Sequence, residues 1–174
     1  FEEKTGKKGM MVSAVDLLKG IAVGAGMGVA LVEGANGGLD TNYAGKVDAA
    51  VRALTEEGYD FAYIHLEAPD EMGHQGSVEK KVRAIEYLDQ RVIGPLVERM
   101  EASGEEFRLL VLPDHPTPIR IRTHTPDSVP YMLYDSARPL SHVWNYNERE
   151  AAKAGNVTAQ GYKLIDRLFE ESEK

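Results

Sequence analysis

Amphipathic helical segments alternate along this chain with short apolar runs, and that alternation restricts the fold more than any other feature. Ser13 reads as a helix N-cap, with Val15, Leu18, Ile21, Ala22 and Ala25 following at helical spacing and Gly26 and Gly28 ending the segment. Val29 to Val32 reads as a short strand, followed by a loop at Gly34-Ala35-Asn36-Gly37-Gly38. A second helix opens near Asn42, carries Val47, Ala50, Val51 and Leu54 on one face, and closes at Gly58. Phe61 to Leu66 has the aromatic and apolar content of a buried strand. A loop over 67–76 leads to a long helix capped by Ser77, with Val78, Val82, Ile85, Leu88 and Val92 as its apolar stripe and Pro95 as a kink. Further strands are expected at Leu109 to Leu112 and Pro130 to Tyr134, and a closing helix at Tyr162 to Phe169. Strands that alternate with helices in this way call for an α/β fold, a mostly parallel sheet with helices on both faces.

In such sheets ligands sit beyond the carboxyl ends of the strands. Two loops answer that description, Glu67 to Gly76 and Pro113 to Thr125, and they hold three of the five histidines. In the first, Asp70 and His74 stand four positions apart. In the second, Asp114 and His115 are adjacent at a strand end, where neighbouring side chains are expected to point in opposite directions. His124 follows, within Arg122-Thr123-His124-Thr125. The chain has no cysteine, so any metal must be held by oxygen and imidazole ligands, a set suited to Mn²⁺, Mg²⁺ or Zn²⁺. Two such ions can clamp the attacking and leaving oxygens of a phosphoryl displacement. Of the remaining histidines, His65 is expected to be packed within its strand, and His142 beside Trp144 is expected to be structural.

Three segments carry a specific resemblance. Glu67-Ala68-Pro69-Asp70-Glu71-Met72-Gly73-His74, Leu112-Pro113-Asp114-His115 and Arg122-Thr123-His124-Thr125 resemble the metal motifs of the cofactor-independent phosphoglycerate mutases, archaeal and bacterial branch. Ser13-Ala14-Val15-Asp16-Leu17-Leu18-Lys19-Gly20 and Gly38-Leu39-Asp40-Thr41-Asn42-Tyr43 resemble the same branch, so the likeness runs over nearly the whole chain. The resemblance implies an alkaline phosphatase-like α/β fold and two divalent ions, with Mn²⁺ expected and Mg²⁺, Zn²⁺ or Co²⁺ as alternatives. Asp70, His74 and His124 would hold one ion, while Asp114 and His115 would contribute to the other. Apart from the resemblance, Arg120 and Arg122 adjoin His124 and a guanidinium suits bidentate phosphate contact, so Arg122 is expected to contact the substrate, a small phosphorylated molecule.

The family completes its second site with an Asp and a nucleophilic Ser near the start of its polypeptide, ahead of an inserted substrate domain. Neither has a counterpart here. Residues 1–174 are therefore expected to be the C-terminal part of a longer enzyme, with its N-terminal part as a partner, and the chain opens at Phe1 without an initiator Met. The implied reaction interconverts 2-phosphoglycerate and 3-phosphoglycerate through a phosphoserine. A homoserine kinase-like phosphotransferase and a non-catalytic metal-binding domain are the alternatives. A net charge of −8 argues against a nucleic-acid partner, and no apolar run reaches the ~20 residues of a membrane span. The expected location is the cytoplasm, and an unpaired sheet edge would invite self-association.

Overall fold

The computed structural model describes residues 1–140 and 145–170. They fall into two compact units, one of Phe1–Glu105 with Thr117–Thr123 and one of Glu106–Pro116 with His124–Lys174. His142 lies outside the described residues.

The first unit runs α1 (Glu2–Thr5), β1 (Gly9–Val12), α2 (Asp16–Gly24), β2 (Gly28–Ala30), α3 (Tyr43–Thr55), β3 (Phe61–Ile64), α4 (Ala68–His74) and α5 (Val78–Leu88). A π-helical turn, Asp89–Ile93, then leads into α6 (Gly94–Ser103), with Pro95 in its first turn. The sheet is parallel throughout in the order β2-β1-β3, and helices supply the crossovers that parallel neighbours need. All four residues of β1 are buried. Met10 and Val12 pack on Ala49, Ala50 and Ala53 of α3, joined by Ala62 and Ile64 of β3.

Three expectations are corrected in this unit. β1 is the central strand, and no strand was expected before Ser13. Ser13 is not the cap of α2: Val15 occupies that position, and the Ser13 hydroxyl accepts the Val15 N–H at 3.0 Å. The apolar stripe expected from Val78 to Val92 is buried only toward its end: Val78, Val82 and Ile85 are 62%, 49% and 52% exposed, whereas Leu88 is half-buried and Val92 is buried. α5 instead buries Ala84 against Ala68 and Met72 of α4. The capping signals hold elsewhere. The Asn42 side chain accepts the Gly45 N–H at the start of α3, and Ser77 accepts the Lys80 N–H at the start of α5.

The second unit pairs β4 (Arg108–Val111) with β5 (Met132–Asp135), and this pairing is antiparallel. α7 (Glu148–Ala154), a 3₁₀ turn at Gly161–Lys163 and α8 (Leu164–Phe169) complete it. α7 had no counterpart in the sequence reading. Across the described residues the three-stranded sheet is parallel and flanked by helices, the α/β class expected. Among the described residues no helix is long and apolar enough to cross a membrane.

Candidate metal centre

The segment after β3 is a helix, α4, where the sequence suggested a loop. Pro69 sits in its first turn, where its missing N–H has no intrahelical partner to lose. Asp70 and Glu71 lie at the positive end of the helix dipole and His74 at the negative end, each at its favoured terminus. The helix turns a four-residue spacing into neighbouring side chains on one face. Asp70 Oδ2 and His74 Nε2 are 3.3 Å apart, just beyond the carboxyl end of β3.

The two ligand candidates are fixed from behind by the same short segment, Thr117–Thr123. His74 Nδ1 lies 2.9 Å from the Arg122 carbonyl. A carbonyl can only accept, so Nδ1 carries a proton, and in the neutral imidazole Nε2 is then the nitrogen with the lone pair. Asp70 Oδ1 accepts a short hydrogen bond from the Thr117 hydroxyl, which leaves Oδ2 facing His74. Arg122 has φ +54°, a left-handed conformation that costs a non-glycine residue roughly 1–2 kcal/mol. The turn is closed by the Arg122 N–H donating to the Pro118 carbonyl at 2.9 Å. The Arg122 side chain is exposed and lies over Gly76, where a Cβ would come within 2.4 Å of its Nε.

In the second unit, Asp114 and His115 do not diverge as the strand-end geometry suggested. His115 Nε2 lies 3.4 Å from Asp114 Oδ2, and the His115 N–H donates to Asp114 Oδ1 at 3.1 Å. They stand three and four residues beyond β4, where strand alternation no longer governs direction. The His115 and His124 rings are stacked, with centroids 3.6 Å apart.

His65, expected to be structural, belongs to a separate buried group. Its Nδ1 is 3.4 Å from the Ser13 hydroxyl and 3.3 Å from Glu67 Oε1. Lys46, fully buried, reaches Glu67 Oε2 at 3.5 Å and donates to the His65 carbonyl at 3.1 Å. Burial pulls the Lys46 ammonium below its ordinary pKa. Burial alone would raise Glu67, yet His65 and Lys46 outweigh it and hold the carboxyl below its usual range. Glu67 is the N-cap residue of α4, so this pair anchors the start of the helix that carries Asp70 and His74. The sequence did contain a signal: Lys46 shares the core-facing stripe of α3 with Tyr43, Val47 and Ala50, and a lysine there needs a buried anion.

The parallel sheet flanked by helices is consistent with an alkaline phosphatase-like α/β fold. The Metalloenzyme superfamily profile matches residues 1–166, and the chain belongs to that superfamily. It is similar to a 2,3-bisphosphoglycerate-independent phosphoglycerate mutase of Methanothrix thermoacetophila, 51% identical over 97% of this chain and 43% of the relative. A probable mutase of the same name from Geobacter sulfurreducens is 47% identical over 98% of this chain and 42% of the relative. The chain thus spans about two fifths of the length of these curated relatives. A solved protein structure from Pyrococcus horikoshii superposes with a TM-score of 0.84 at 28% identity, covering 99% of this chain and 52% of that one.

Proposed function

We propose that this chain is the metal-binding portion of a cofactor-independent phosphoglycerate mutase, and that Asp70, His74 and His124 hold one of its divalent ions. The observation that carries the reading is the Asp70–His74 pair on one face of α4, with Asp70 Oδ2 3.3 Å from His74 Nε2 and Nδ1 engaged by the Arg122 carbonyl. His124 follows two residues after Arg122, whose carbonyl fixes His74, and this closeness in sequence supports its assignment as the third ligand. The donors are oxygen and imidazole nitrogen without thiolate, which fits Mn²⁺ and its hard or borderline neighbours. Asp114 and His115 are assigned to the second ion, and Arg122 to substrate contact through its exposed guanidinium, which suits a phosphate oxyanion.

Bound divalent ions supply charge stabilisation to a transferring phosphoryl group. The chain's own residues perform the holding. The Arg122 carbonyl keeps the Nδ1 proton of His74 in place, and the pair on α4 presents a fixed edge of negative charge and lone-pair density. The likeness to relatives named as mutases, over 97% and 98% of this chain, supports a phosphoglycerate as the substrate. In this reading the phosphoryl group passes through a serine supplied by polypeptide beyond this chain.

Mn²⁺ is expected to raise the melting temperature. An ion at 100 times its Kd stabilises the folded state by about 2.7 kcal/mol. That corresponds to a shift of roughly 5–10 °C for a chain of this size. His74→Ala should abolish the shift. An equal shift in both proteins would place the ions elsewhere and end the assignment.

A further inference from the structure

We propose that Thr117 is a positioning residue for the metal-binding carboxylate: its hydroxyl ties Asp70 Oδ1 so that Oδ2 alone is presented beside His74 Nε2. The inference rests on the metal reading above. It adds a residue that the sequence motifs did not single out as part of the site.

The geometry is specific about which oxygen does what. Thr117 donates to Oδ1 of Asp70, while Oδ2 is the atom 3.3 Å from His74 Nε2. A carboxylate turns easily about its last torsion, which has broad and roughly two-fold minima. Its two oxygens become inequivalent only when a neighbour fixes one of them. Thr117 is fit for that work because it is itself immobilised. It is 4% exposed, and its carbonyl accepts from Lys81 Nζ of α5 at 2.6 Å. Its backbone also lies tight against α4 at Gly73, where a Cβ would stand 2.5 Å from the Thr117 carbonyl oxygen. Glycine at 73 is what allows the threonine to come this close to the helix.

Thr117 and Arg122 therefore act as two fingers of one segment. The first orients the carboxylate and the second fixes the imidazole tautomer. Partners of this kind hold ligands ready for an ion, and losing one costs about 10–100-fold in metal affinity. A hydroxyl is required and a methyl cannot replace it. A serine retains the donor on the same backbone.

The test is a Mn²⁺ binding isotherm by calorimetry on the purified chain, with the melting temperature of the metal-free protein measured alongside. Thr117→Val is expected to weaken Mn²⁺ binding about tenfold or more, and Thr117→Ser to recover most of that loss. Because valine in a buried polar position can also lower stability, the serine variant provides the second reading. A role limited to packing predicts a lower melting temperature in Thr117→Val with the Mn²⁺ affinity of the parent, and that result would overturn the proposal. Equal weakening in the valine and serine variants would overturn it as well. If His74→Ala abolishes binding while Thr117→Val binds normally, only this inference falls. If the parent chain binds no Mn²⁺, the metal reading falls with it.

Discussion

The 174-residue chain by itself, supplied with Mn²⁺ and 3-phosphoglycerate, is expected to form 2-phosphoglycerate on the order of a millionfold more slowly than a longer relative such as the Methanothrix protein. The magnitude follows from the covalent step. Ions can stabilise a phosphoryl group in transit but cannot carry it, and deleting the nucleophile of a serine protease costs about that factor in kcat. Three hydroxyls considered as nucleophiles are engaged in other ways: Ser13 is 5% exposed and accepts the Val15 N–H, Ser77 caps α5, and Thr117 is 4% exposed and donates to Asp70. The assay compares the chain with the longer relative at equal Mn²⁺ and follows 2-phosphoglycerate directly. Robust product from the chain alone would falsify the assignment of the nucleophile to polypeptide outside it. Ser13, Ser77 and Thr117 would then be replaced one at a time.

Elements with strong local punctuation were legible in the sequence. Asn42 and Gly58 bracket α3, and Ser77 starts α5, because a cap side chain and a left-handed glycine are local requirements that tertiary packing did not override. β1 was not legible. Gly9 to Val12 is a four-residue run beside the lysines at 7 and 8, and its place at the centre of the sheet depends on Gly28 and Phe61, strands distant in sequence. α4 was not legible either, since Glu67 to Gly76 read as a loop. Proline is at home in a first turn, and the glycine is explained by its contact with the Thr117 carbonyl, 44 residues away in the chain. The four-residue spacing of Asp70 and His74 suggested a pair and the structure brings the two side chains together, but the atoms that hold them were not legible. The Arg122 carbonyl is a backbone group without any side-chain signature, and the Thr117 hydroxyl can be recognised only once the turn brings it to α4. α5 shows the limit of periodicity. Its larger residues form a clean stripe, yet the face packed on α4 carries Ala84, where a small residue permits close approach.

Lys46→Met is expected to destabilise the first unit by about 3–5 kcal/mol, a large share of the 5–15 kcal/mol that holds a typical domain together. The lysine is fully buried, and the carboxylate it faces is 9% exposed, with neither of its oxygens accepting a hydrogen bond within the described residues. Removing the ammonium leaves Glu67 buried with only His65 against it, 3.3 Å from Oε1. An uncompensated charge is what makes breaking a buried pair costly, so the cost should fall when both partners become apolar. Lys46→Met combined with Glu67→Leu should therefore recover most of the lost stability. The pH dependence has a definite sign. Glu67 has its folded pKa held below the ordinary 4.5, so its contribution is complete above that value and is lost as pH falls through the folded one. Lys46 is lowered from 10.5, so the unfolded chain binds its proton more tightly, and this group adds stability as pH rises through its folded pKa. Urea midpoints at pH 7 and at pH 4 for the parent, the single and the double variants test the Glu67 term, and a series rising from pH 7 toward the ordinary lysine value of 10.5 tests the Lys46 term, provided the slopes agree. A Lys46→Met midpoint equal to the parent's would show that the pair does not anchor α4. A double variant no better than the single would show that the loss comes from packing around Lys46 and not from the stranded carboxylate.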